Sequence, residues 1–152
     1  MECQMVDEDK IAQILKRDFV IHGTYTIDDQ GVVNVQGDVD HTAKQVKLYV
    51  TFGSVSGHFS SYWRGLKNLK GVPTHIGDSI TITYYPGMPV LRCLAAERQI
   101  SLQATVSKHP GYSTERYNIN KILDKYVGRG RVGALACAAE LIRAGYRENA
   151  RW

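Results

Sequence analysis

No apolar run in the 152 residues approaches the roughly 20 needed to cross a bilayer, and the opening MECQMVDEDK is acidic where an export leader is basic and then apolar. Neither a membrane span nor a signal peptide is expected, and the chain reads as cytoplasmic. Cysteine is scarce: Cys3, Cys93 and Cys137 are odd in number, far apart and in no CxxC spacing, which speaks against a disulfide framework and gives no zinc signature. The five histidines, at 22, 41, 58, 75 and 109, form no HExxH or HxH motif, so no metal and no cofactor is expected. A GxSxG elbow and the GxxxxGK[ST] loop are also missing. Excess positive charge is lacking over most of the chain. Met1 to Tyr112 carries eleven basic and eleven acidic residues, and Ser113 to Trp152 eight and four, so the whole net charge of +4 lies in the last forty residues. A surplus placed there suits an anionic partner, but without a basic stripe a nucleic acid is not the expected one.

What is present suffices for one domain, residues 1–152, with 43% hydrophobic residues to build a single core. DEDKIAQILKRDF predicts a short helix over about Glu8 to Arg17, N-capped by Asp7, with Ile11, Ile14 and Leu15 on one face. Two β-rich runs follow, joined by the hairpin-type turn Asp28-Asp29-Gln30-Gly31; Val33, Val35 and Val39 alternate with polar residues as in a half-buried strand. Val46, Leu48, Val50 and Phe52 alternate with Lys47, Tyr49 and Thr51 in the same way.

Gly37, Gly57 and Gly77 recur every twenty residues, each near a Val or Ile and followed by an apolar strand residue. A period of this length predicts short strands that stack, because one unit cannot bury its own apolar edge. In the third unit the match slips by one, Ile80 aligning with Val39 and Phe59. The return segments carry Leu66, Leu69, Met88 and Leu91 inward. The expected fold class is α+β: an N-terminal helix (1–18), a β-repeat or meander sheet of about 20-residue units (19–112), and two helices packing on it (113–152).

The stretch LKNLKGVPTHIGDSITI resembles the degenerate leucine-rich-like units, of form LxxLxGxPxxIGGxF, found in tailed-bacteriophage proteins. There a strand like Val33 to Val39 often precedes the unit. The likeness spans roughly Val32 to Leu94 and departs from the pattern at Asp78, where a second Gly is usual. It implies phage origin, hence the cytoplasm of an infected bacterial cell, and a binding or scaffolding role rather than catalysis.

After a Pro-Gly turn the period becomes helical. Ile119, Ile122, Leu123 and Tyr126 form an apolar stripe N-capped by Asn118, and Val132, Leu135, Ala139 and Ile142 share a face of a second helix that Gly145 ends. Between them YVGRGRVG offers glycines that turn backbone amides outward, the bidentate donors Arg129 and Arg131, and a helix N-terminus, which together are the parts of an anion site. Tyr126 begins this stretch. Tyr62-Trp63-Arg64 and Tyr84-Tyr85, in the loops after two repeat strands, add aromatic faces suited to base stacking.

The function expected on these grounds is non-enzymatic: capture of a small anionic, nucleotide-like ligand by Arg129, Arg131, Tyr126, Tyr62, Trp63, Arg64, Tyr84 and Tyr85, directed against host defence. An adaptor or inhibitor of a host protein is the alternative, and the Ala-rich helix and repeat edges point to a homo-oligomer. A second alternative comes from the triplets His22-Gly23-Thr24 and His58-Phe59-Ser60. Two-histidine phosphoesterases use paired HxS/T motifs, one imidazole as base and the other as acid, on cyclic nucleotides.

Overall fold

The Asp7 carboxylate accepts the Lys10 N–H at 3.0 Å and so starts helix α1, Glu8–Asp18, within a residue of its expected bounds. This computed structural model describes residues 7–45, 47–61, 66, 68–104 and 112–152, excluding the side chains of Tyr112, Ser113 and Arg131. Strands β1, Phe19–Ile27, and β2, Val32–His41, pair antiparallel without a register break. The DDQG turn closes them, with Asp28 Oδ1 accepting the N–H groups of Gln30 and Val32.

From β2 onward every pairing is parallel, so the repeat is a solenoid-like stack and not an antiparallel meander. β2 meets β3, Thr51–Val55, along its first half and β4, Phe59–Ser61, along its second. In the next pass β5, His75–Ile76, lies on β3 and β6, Ser79–Thr83, on β4; finally β7, Gln99–Gln103, lies on β6. Val39, Phe59, Ile80 and Ile100 form one continuous buried rung, including the one-residue slip at Ile80. Leu66, Leu69, Val72, Met88 and Leu91 fill the space behind the strands.

The glycine period follows from close approach at the bend between the two strand segments of each pass. Gly57 N–H donates to the Gly37 carbonyl at 2.9 Å, and Asp78 N–H to the Gly57 carbonyl at 3.1 Å. A Cβ on Gly57 would overlap the Asp38 carboxylate, and one on Gly77 the Ser56 carbonyl oxygen.

Three expectations need correction. Leu48, Val50 and Phe52 are buried in the predicted alternation, but the ladder begins only at Thr51, and Val46 lies outside the described residues. Helix α2 runs Tyr112–Asp124, so Asn118 is mid-helix and not a cap; its amide donates to the Tyr146 hydroxyl at 3.1 Å. Helix α3 runs Gly130–Arg143, with Gly145 (φ +94°) just past its end as expected. Its face of Val132, Leu135, Ala139 and Ile142 points to solvent, however, while Gly133, Cys137 and Leu141 point inward. Apolar residues surround this helix, so the side with the smaller residues could come closest to the stack and became the buried one.

The C-terminal helices also finish the sheet. Asn120 on α2 accepts the Leu102 N–H at 2.7 Å and donates to the Ile100 carbonyl at 2.9 Å, and Arg116 donates to the Leu102 carbonyl at 2.8 Å. The outer edge of β7 thereby gains partners without another strand. Cys93, in the 3₁₀ turn Leu91–Ala95, and Cys137 on α3 are buried free thiols. Among the described residues no helix is long and apolar enough to cross a membrane.

Candidate functional site

The chain's last residues fold back onto the third pass, because Val90 and Leu91 donate their N–H groups to the carbonyls of Asn149 and Arg151, each at 3.1 Å. That anchorage sets Trp152 beside the Arg92 guanidinium, 5.6 Å from the ring centroid. Between this tail, the 3₁₀ turn and α3 lies a groove of about 530 Å³. Leu91, Leu94, Ala134 and Ala138 make its apolar floor, and Leu135 and Trp152 its lips. Trp152 is 55% exposed and Leu135 72%, so both side chains are accessible to a ligand.

Gly130, the first residue of α3, also lines the groove. Gly128 (φ +77°) and Gly130 (φ +66°) make the sharp turn from α2, a conformation that a side chain would strain. Arg129 occupies the N-cap position and supplies no capping hydrogen bond from its side chain. Its guanidinium lies 5.7 Å from the Tyr126 ring centroid. Tyr126 donates to Glu140 at 2.9 Å, and Lys125 pairs with Glu140 at 2.9 Å. Hydrogen bonds from Lys125 and Tyr126 hold the Glu140 carboxyl below its ordinary range, so this acid stays charged and neutralised beside the loop.

The remaining predicted site residues are placed differently. Tyr84 is fully buried; its hydroxyl donates to Glu115 at 2.5 Å and receives the Asn149 amide at 3.1 Å. Burial pushes its phenol far upward, and it presents no face to a ligand, which corrects its assignment to the site. Tyr85 is half-buried, its N–H directed at the Met88 sulfur at 3.4 Å. Tyr62, Trp63 and Arg64 lie outside the described residues, and Arg131 is described in its backbone alone. Arg129 and Tyr126 are thus the predicted residues brought together, and Trp152 is the aromatic that sequence reasoning missed. No period or motif marks Trp152, since only the folding back of the tail gives it a neighbour.

A second cluster lies on the outer face of the stack. The antiparallel β1–β2 register and the parallel β2–β4 register bring His22 and His58 to one carboxylate: His22 Nε2 is 3.3 Å from Asp40 Oδ2, and His58 Nε2 3.2 Å from Asp40 Oδ1. Ser60 donates to Asp40 at 2.5 Å, and His58 Nδ1 lies 3.3 Å from Asp38. Burial pushes the Asp40 carboxyl up, but the Ser60 and His58 hydrogen bonds and the two imidazoles outweigh it and hold it below the usual carboxylate range. The two HxS/T triplets therefore converge, although around an anion and not around an open anion site. Among the described residues no group of three His, Cys, Asp or Glu side chains is arranged to hold a metal ion.

A third polar chain is internal. Ser61 Oγ meets His41 Nδ1 at 2.8 Å, His41 Nε2 meets Gln45 at 3.0 Å, and Gln45 donates to Asp18 at 2.9 Å. His41 and Ser61 are each 1% exposed, and an amide in place of a carboxylate faces the far ring nitrogen. This arrangement links α1, β2 and β4, with the imidazole and the hydroxyl closed off from solvent.

No family model, no curated protein and no solved structure matches this chain.

Proposed function

We propose that this protein binds, without turning it over, a small anionic ligand with a flat or apolar body, of which a nucleotide is the model, in the groove between α3 and the 3₁₀ turn. The observation that carries this reading is the exposed Trp152 on an apolar groove that Gly130, at the N-terminus of α3 beside Arg129, also lines. The base or other flat body would lie against Trp152 and Leu135, and the anion against the α3 amides and the arginines at 129 and 92. The repeat's resemblance to phage proteins makes the signal nucleotides of a bacterial host the ligands to screen first.

A thermal-shift screen with cyclic di- and trinucleotides and ADP-ribose derivatives tests the proposal. Ligand at one hundred times its dissociation constant adds about 2.7 kcal/mol, or a rise of roughly 5 to 10 °C in Tm for a chain of this size. Trp152→Ala and Arg129→Ala should each abolish the rise while leaving the unliganded Tm nearly unchanged. No shift with any nucleotide, or a shift that both variants retain, rejects the reading.

The convergence of His22 and His58 on Asp40 supports a second reading, acid–base cleavage of a cyclic nucleotide. It requires turnover that disappears in both His22→Ala and His58→Ala. The Asp40 carboxylate between the rings opposes a phosphate there, which is why binding in the groove is preferred.

A further inference from the structure

At the opposite end of the stack from β7, strand β1 pairs only with β2 among the described residues. The Val35 and Gly37 carbonyls accept from Ser56 and Gly57, and Val39 N–H donates to His58, so the odd residues of β2 bond towards β3 and β4. Its even residues then bond to β1. Through the register Gly23↔Gly37, this turns the backbone groups of Ile21, Gly23, Tyr25 and Ile27 outward, where among the described residues no strand meets them. The usual protections of such an edge are missing: FVIHGTYTI holds no Lys, Arg, Asp, Glu or Pro, and its pairing has no bulge. Tyr25 belongs to the inward-facing set with Phe19 and Ile21, yet it remains 40% exposed.

A groove runs between this edge and α1, which contributes the buried Leu15 and, nearer the surface, Asp9, Ala12, Gln13 and Lys16, one stripe at i, i+3, i+4 and i+7. We infer that a second copy of this chain fills it, β1 pairing antiparallel with β1 of the partner about a two-fold axis through Gly23. In that register the outward-bonding residues of both strands face each other. Phe19 then meets Ile27, and Ile21 meets Tyr25, on both sides of the axis.

The helix stripe has the same symmetry. Turned about its centre it sets Asp9 against Lys16 and Ala12 against Gln13 of the other copy, and among the described residues neither Asp9 nor Lys16 has an ion-pair partner within the chain. Strand and helix are thus each self-complementary, as an isologous interface requires. The interface is independent of the α3 groove.

Sedimentation equilibrium of the full chain should give twice the chain mass. Tyr25→Lys should give a monomer with an unchanged far-ultraviolet circular dichroism spectrum. Asp9→Lys should weaken the dimer about tenfold, because two symmetric contacts change sign together, and adding Lys16→Asp should restore it. In a Cys3→Ser background, Gln13→Cys should be joined between copies by a short bis-maleimide. A chain that stays monomeric at millimolar concentration overturns the inference, as does a dimer indifferent to both Tyr25→Lys and the charge reversal, or one in which Gln13→Cys fails to cross-link. A monomer whose β1 amides become protected only on adding a foreign peptide also overturns it, and assigns the edge to another protein.

Discussion

His41 shows how a single buried side chain gives the stack a dependence on pH. Burial lowers its proton affinity, and the Gln45 hydrogen bond and the nearby Asp18 charge, which act the other way, do not restore it. The unfolded chain therefore takes up a proton below about pH 6.5 that the folded chain resists, so stability is full above that pH and falls as the solution is acidified. Urea unfolding at pH 7.5, 6.5 and 5.5 should show this loss, with a slope of at most about 1.4 kcal/mol per pH unit from this residue, and His41→Gln should flatten it. None of this was legible from the position of His41 in the sequence. Its partners Ser61, Gln45 and Asp18 lie 20, 4 and 23 residues away, and only the parallel register of β2 and β4 makes Ser61 a neighbour. The convergence of His22 and His58 has the same cause, two registers acting together. The turn that carries Arg129 follows from local residues, two glycines and the helix after them.

Elements defined by neighbours in sequence were read well, and those defined by what packs on them were not. Asp7 caps α1 where expected, because N-capping is a contact over three residues. The glycine period held because a backbone contact at each bend leaves no room for a Cβ. The apolar stripe Val132, Leu135, Ala139 and Ile142 of α3 lies in solvent, since small and apolar residues on the other side leave the pattern without a single direction. Asn120 was not singled out at all. Its role depends on α2 lying along β7, where one carboxamide serves both a donor and an acceptor of an open strand edge. Asn120→Ala removes both partners and should cost about 1 to 3 kcal/mol of stability by urea unfolding. Asn120→Asp keeps the acceptor and should lose less. Light scattering at equal concentration should rise for the alanine variant, since the freed edge can pair between molecules.

At the scale of the whole molecule the two ends of the stack are treated differently. Side chains from α2 bond to the β7 end, whereas among the described residues no strand beyond β2 pairs with β1, and solenoids need both ends covered. The groove at α3 also depends on the entire chain: the third pass, the last helix and the final residue meet there although they are far apart in sequence. A linear reading could find the repeat but not the place where the tail returns.

The buried pair Cys93 and Cys137 makes the docking of α3 measurable as a rate. Burial pushes Cys93 up to about 12, with Cys137 adding to the shift, and Cys137 up to about 11, so in the closed molecule both thiols are protonated as well as enclosed. A thiol reagent can modify them only when α3 lifts from the 3₁₀ turn. In a Cys3→Ser background, labelling of the native chain should be slow, independent of reagent concentration once it is high, and slower still with a ligand in the groove. These sulfurs thus serve as an internal clock, its ticks the openings of the wall against which any captured molecule would rest.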